Sequence, residues 1–225
     1  MDWLTDLDWE LVLDSFWPML RGGLTGTIPL TLASFSLGLM LALVVALMRI
    51  SSIRAVSWIA RAYISIIRGT PLLVQLFVIF FGLPSIGVTL DPWPSAVIAF
   101  SLNVGGYAAE VIRAAILSVP LGQWEAGYTI GMTRVQTLRR LILPQAARVS
   151  VPPLSNTFIS LVKDTSLASL ILVTEMFRVA QQIAAFSQQF MLLYVEAAVI
   201  YWVFCLVLSS GQMRLERRLD RYVAH

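Results

Sequence analysis

From Pro29 to Met48 the chain reads PLTLASFSLGLMLALVVALM, without a single charged side chain. That stretch has roughly the 20 apolar residues needed to cross a hydrocarbon core. Backbone polar groups at that depth have no water to bond, so a lone segment satisfies them within itself, as a helix. Four more stretches read the same way: 63–82, 95–117, 151–173 and 190–210. The second has two possible starts, at Tyr63 or at Pro71. The predicted fold class is therefore all-α: a polytopic membrane protein with five transmembrane helices. Composition agrees, with 58% hydrophobic residues, a mean hydropathy of +0.79 and only 13% charged residues. An ordinary soluble domain carries about 25% charged residues.

The charges then set an orientation. Arg49, Arg54 and Arg61 fall on one side of the predicted spans, with Arg134, Arg139, Arg140 and Arg148 and the tail residues Arg214, Arg217, Arg218 and Arg221. The other side holds Arg21, Arg178 and most of the N-terminal acidic residues. The excess of arginine on cytoplasmic loops predicts the N-terminus outside and the C-terminus in the cytoplasm. The net charge of +3 is thus explained by topology, and no nucleic-acid partner is expected. The one Cys, Cys205, lies in an apolar run, and the one His, His225, is the last residue. No internal disulfide, histidine-pair zinc site or Ser-His dyad follows from them.

Residues 1–20 carry Asp2, Asp6, Asp8, Glu10 and Asp14 among Trp3, Leu4, Leu7, Trp9, Leu11, Leu13 and Trp17. Without a basic start, no cleavable signal peptide is expected here. The expectation is a short amphipathic helix at the membrane interface. Residues 83–94, with Pro84, Gly87, Asp91, Pro92 and Pro94, read as a loop of turn formers. The organisation expected is an N-terminal segment 1–20, a transmembrane domain 21–215 with a cytoplasmic loop 118–148, and a cytoplasmic tail 216–225.

That loop holds the most patterned polar stretch, GQWEAGYTIGMTRVQTLRRLILP from Gly122 to Pro144. Connections between elements have a median of about 4–6 residues, so a segment this long does more than connect. Gly127 and Gly131 are four apart, which in a helix would clear one face for close approach. Pro144 removes a backbone donor and is expected to end or kink a helix there. Two readings remain from the residues alone: a docking element for a cytoplasmic partner, or an interfacial helix whose arginines contact anionic lipid.

Glu125-Ala126-Gly127, three residues, Gly131, nine residues, then Leu141-Ile142-Leu143-Pro144 resembles the EAA loop of ABC importer permeases. The family pattern has a third Ala where this chain has Gly127, and Ile where it has Leu141. Arg68-Gly69-Thr70-Pro71 resembles the RGTP signature of permeases for polar amino acids. Ser101-Leu102-Asn103 with Tyr107 and Glu110, and Lys163-Asp164-Thr165-Ser166-Leu167, are similar to that subfamily's third and fourth spans. The resemblance covers about residues 20–220, and the wording near Leu90–Pro94, Gly122–Gly131 and Leu154–Leu172 is most like cystine-type permeases. It implies a type I permease fold in a bacterial inner membrane, and an ATPase-coupling role for Glu125, Ala126, Gly127, Gly131, Leu143 and Pro144. The implied partners are two ATP-binding subunits, a second permease copy or homologue, an extracytoplasmic solute-binding protein, an amino acid and membrane lipid.

Polar residues inside spans are costly, so by default they face a cavity and serve function. Asn103, Tyr107, Glu110 and Arg113 recur every three or four residues and share one helix face. Asn156, Ser160, Lys163 and Asp164 also fall on one side of their span, and Lys163 is the only Lys in the chain. One reading is that Glu110–Arg113 and Lys163–Asp164 pair structurally. The other is an amphoteric site, a cation for a carboxylate and a carboxylate for an ammonium, as an amino acid zwitterion needs. The resemblance implies the second, with Gly69 and Thr70 adding exposed backbone groups beside Pro71.

The chain has no Gly-x4-Gly-Lys-Ser/Thr loop, so any ATP and Mg belong to a partner and no cofactor is expected here. The expected function is the permease subunit of an importer for a polar amino acid, L-cystine first, with arginine, histidine or glutamine as alternatives. A membrane-embedded enzyme with Lys163 as nucleophile, and a stand-alone channel or secondary transporter, are the readings from other classes.

Overall fold

The computed structural model describes residues Trp9–Asp220, with side chains as far as Arg218. Every regular element among them is helical: α1 (Trp9–Gly22), α2 (Ile28–Arg49), α3 (Arg54–Gly69), α4 (Leu72–Phe77), α5 (Pro92–Ser118), α6 (Leu121–Thr129), α7 (Arg134–Thr137), α8 (Leu143–Asp164), α9 (Met176–Ser187) and α10 (Phe190–Asp220). Among the described residues three helical runs are long and apolar enough to cross a membrane: Trp9–Arg49, Pro92–Ser118 and Phe190–Arg218. Two bent pairs, Arg54–Gly69 with Leu72–Ile86 and Arg134–Ile171 with Met176–Ser187, bring the number to five if each counts as one span.

Proline places most of the irregularities. A proline offers no N–H to the carbonyl four residues back, and its ring crowds that carbonyl. Pro29, Pro84 and Pro144 each follow a widened π turn, at Gly23–Thr27, Val78–Gly82 and Leu138–Ile142. The deprived carbonyls, of Thr25, Phe80 and Arg140, lie inside those turns, which absorb the misfit. Of the end or kink expected at Pro144, the end does not occur: α8 continues directly from the π turn, which takes up the missing N–H. The expected loop at 83–94 is corrected as well. Leu83–Ile86 is a 3-10 turn capped by Gly87 at φ 85°, and α5 starts at Pro92, with Pro94 also in its first turn. Thr70, held extended by the proline after it, separates α3 from α4 inside the stretch 63–82.

The N-terminal segment is helical from Trp9, and α1 continues through the π turn into α2 as one 41-residue run. Trp3, Leu4 and Leu7 and the acidic residues Asp2, Asp6 and Asp8 lie outside the described residues. At the other end α10 carries Arg214, Arg217 and Arg218 as a helical extension, while Arg221 lies outside.

The chain divides into two compact units. One comprises Met1–Ser34, Leu73–Ala99 and Ile159–Ser210. Its core gathers Met19 of α1, Met176, Ala180 and Ala184 of α9, and Leu193, Ala197 and Ile200 of α10. Glycines let these backbones approach: a Cβ on Gly23 would lie 2.7 Å from the Phe204 ring, and one on Gly26 would overlap the Thr174 carbonyl. The other unit comprises Phe35–Leu72, Phe100–Phe158 and Gly211–His225. There α5 presents a small-residue face. A Cβ on Gly105 would meet the Tyr63 hydroxyl at 2.7 Å, one on Gly106 would meet Ile67 at 2.6 Å, and one on Gly38 of α2 would meet Val104 at 2.7 Å.

Candidate functional site

The polar island folds into two short helices and a tight turn, all in the second unit. α6 begins after Pro120 and closes with a paired-bond C-cap. The Met132 N–H donates to the Gly127 carbonyl and the Gly131 N–H to the Tyr128 carbonyl, both at 3.0 Å. Gly131 has φ 78°, the left-handed conformation that a side chain disfavours. Gly131 therefore does not share a helix face with Gly127, as the spacing suggested. It is the residue that stops the helix. α7 is fixed by a capping box: the Gln136 N–H donates to Thr133 Oγ1 at 3.3 Å, and the Thr133 N–H to Gln136 Oε1 at 2.9 Å.

Gly127 is the one buried residue of α6, and the fully buried Thr137 of α7 lies against it. Ile142 is buried as well, and much of the rest of the island faces outward. Glu125 and Ala126 are exposed, as are Leu121, Tyr128, Ile130 and Val135. An open groove of about 480 Å³ runs along this surface, lined by Leu117, Leu121, Trp124, Glu125, Tyr128 and Arg134. Apolar rings and aliphatic side chains around one carboxylate and one guanidinium form a surface suited to another protein. Leu143 is half-buried and Pro144 exposed at the start of α8.

The polar face of α5 lies in the same unit. Arg113 binds Glu110 through Nε and Nη2, both 3.1 Å from Oε2. Arg49, at the end of α2, places Nε 3.5 Å from Glu110 Oε1. The carboxylate is thus held between two guanidinium groups. The Arg68 guanidinium sits 5.4 Å from the centre of the Tyr107 ring. Asn103 is half-buried one turn before Tyr107. Tyr63 ties α3 to α5 by donating to the Leu102 carbonyl at 2.6 Å. Gly69 is exposed, with open space where a Cβ would stand, so no packing demand explains a glycine there. Thr70 Oγ1 donates to the Ile66 carbonyl at 2.8 Å.

The second polar stripe divides between the units. Asn156 is exposed, and its Oδ1 accepts from Gln212 Nε2 at 3.0 Å. Ser160, Lys163 and Asp164 belong to the first unit; Ser160 and Lys163 are exposed and Asp164 is half-buried. Among the described residues Lys163 and Asp164 form no ion pair with each other.

Two buried carboxylates were not singled out by sequence. Glu175 is fully buried and caps α9, accepting from the Phe177 N–H at 2.9 Å and the Arg178 N–H at 2.7 Å. It also accepts from the Tyr201 hydroxyl at 2.7 Å and Thr27 Oγ1 at 3.3 Å. Glu196 accepts from Ser15 Oγ at 2.6 Å, tying α10 to α1. A carboxylate inside an apolar run was the available signal for Glu196.

Known proteins resemble the chain over nearly its whole length. The chain is 65% identical over 221 residues, 98% of its length and 94% of the relative's, to the L-cystine transport system permease protein TcyB of Bacillus subtilis (strain 168). It is 36% identical to the arginine transport system permease protein ArtQ of the same organism, covering 90% of this chain and 93% of that one. The crystal structure of an amino acid ABC transporter with histidines superposes with a TM-score of 0.84 at 34% identity, over 97% of this chain and 99% of that one. The architecture is accordingly the type I ABC importer permease fold, and the relatives are transport subunits, which removes the enzyme reading built on Lys163. The family described as binding-protein-dependent transport system inner membrane component matches residues 19–221, and the chain belongs to it.

Proposed function

We propose that the chain is the permease subunit of an importer that moves L-cystine into the cytoplasm of a bacterium by alternating access. The observation that carries the substrate is the 65% identity with an L-cystine permease, which extends over nearly the whole chain. The capped helix α6, with Glu125, Ala126 and an apolar groove facing outward, supports a docking role for the island. Two ATP-binding subunits, holding ATP and Mg, would each seat one such helix, and a second permease copy or homologue would complete the pathway. An extracytoplasmic binding protein would deliver the substrate, and lipid would surround the spans.

In this reading five spans cross the inner membrane, counting each bent pair as one, with the N-terminus outside and the C-terminus in the cytoplasm. Glu125, Ala126, Gly127, Gly131, Leu143 and Pro144 carry force from the ATPase to the spans. Gly69, Thr70, Asn103, Tyr107, Glu110, Arg113, Asn156, Ser160, Lys163 and Asp164 supply the substrate face. The exposed Lys163 and Ser160 support that role, because charged and polar groups on a span turn toward a cavity or partner rather than lipid. Glu110, already between Arg49 and Arg113, would act by presenting those guanidinium groups to a carboxylate.

Uptake of labelled L-cystine in cells lacking the gene, with and without the chain restored, tests the proposal, using unlabelled arginine, glutamine and histidine as competitors. ATP-dependent cystine uptake that returns with the chain and resists those competitors is the expected result. Uptake of arginine in its place would move the substrate to that of the 36% identical relative. Glu125→Lys should leave the protein in the membrane and abolish ATP-linked uptake. Normal uptake in that variant would remove α6 from the mechanism.

A further inference from the structure

Of the three glycines in the polar island, Gly127 alone is closely covered, by Thr137. A Cβ built on Gly127 would lie 2.6 Å from both Oγ1 and Cγ2 of Thr137, and 3.1 Å from its Cβ. Both branches of the threonine therefore cover the helix at the glycine, in the space a side chain there would need. Thr137 is fully buried, and its Oγ1 donates to the Thr133 carbonyl at 3.1 Å. Thr133 is in turn locked by the capping box with Gln136. Thr137 is also the last residue of α7, directly before the π turn Leu138–Ile142 that opens into α8.

The side chain thus sits at the junction between the exposed helix α6 and the helical run that becomes α8. We infer that Thr137 is the positioning residue of the coupling machinery: its two branches, seated on Gly127, make α6 and the base of α8 turn as one piece. This rests on α6 being the docking helix. It goes beyond that reading in assigning transmission to one size-matched pair, a small residue in α6 against a branched one in α7. A methyl added on one side must then be offset by a methyl or hydroxyl removed on the other.

The test uses the assembled importer, with its ATP-binding subunits and binding protein, and reads substrate taken up per ATP hydrolysed. Gly127→Ala overpacks the joint and should lower that ratio about tenfold. Thr137→Leu overloads it from the other side and should do the same. Adding Thr137→Ala to Gly127→Ala should bring the ratio back to within about threefold of the unmodified chain, since the volume lost offsets the volume gained. A double variant that stays as poor as Gly127→Ala, through uncoupling or through failure to assemble, overturns the inference. So does a normal ratio in Gly127→Ala. Glu125→Lys, run alongside, separates the two levels. If it transports normally, α6 is not the docking helix. If it is inactive while the double variant is not rescued, the docking reading stands and Thr137 loses its role.

Discussion

Glu175 shows how one side chain can hold a membrane unit together. A buried carboxylate is costly alone, but this one accepts from two backbone N–H groups and two hydroxyls. Its partners belong to α9, to α10 and to the turn between α1 and α2. Glu175→Ala would leave all four donors without their acceptor, and a loss of about 3 kcal/mol is expected. A drop of several degrees in the thermal midpoint of the purified protein would register it, and an unchanged midpoint would deny the staple. Arg113 poses a different question, because Glu110 keeps Arg49 when Arg113 is lost. Arg113→Ala should lower uptake about tenfold, the worth of a hydrogen bond to a charged group, while the ATP-binding subunits still co-purify. Loss of co-purification would make the pair a structural brace. The partners of Glu175 and Glu196 were not legible in the sequence, for a plain reason. Thr27 lies 148 residues from Glu175, and Ser15 lies 181 from Glu196. Composition marks a carboxylate as unusual, but only the folded chain says what it touches.

The helices show the same contrast between local and distant causes. The apolar runs were readable because hydrophobic length is a local property, and the island's Gly131 was found through its spacing. Its physical role was misread, because a glycine four residues after another fits either a cleared helix face or a C-cap. The C-cap is recognised only by φ 78° and the two bonds that close it. The prolines at 92 and 94 were misread as a loop for a related reason: the first turn of a helix accepts what its interior rejects. The turn between α1 and α2 allows a comparison of causes. Proline chemistry favours the wide turn at Gly23–Thr27, but the close approach of backbone fixes its position: a Cβ on Gly26 would overlap the Thr174 carbonyl and lie 2.7 Å from Glu175 Cα. Backbone cannot yield there, so Gly26→Ala is expected to cost about 3 kcal/mol and sharply reduce the protein in the membrane. Pro29→Ala restores a donor and should be nearly neutral. Immunoblots of membrane fractions would compare them, and equal levels would mean that the glycine is not what holds the turn.

For the whole molecule the open quantity is its path through the bilayer. With five spans and the N-terminus outside, a reporter active only outside the cytoplasm should work after Ile86 and fail after Thr129 and after Asp220. The reverse pattern would invert the orientation that the arginines suggest, and activity at all three sites would break the five-span count. The three π turns bear on a different matter, the comparison of this chain with its kin. A π turn is an α-helix that has taken in one residue more than the helix needs, while the helix on either side keeps its bearing. Gly23–Thr27, Val78–Gly82 and Leu138–Ile142 are then the places where a related chain can be one residue shorter without rotating anything downstream. Single-residue gaps in an alignment of this lineage belong inside these helical stretches, where convention would move them out to the nearest loop.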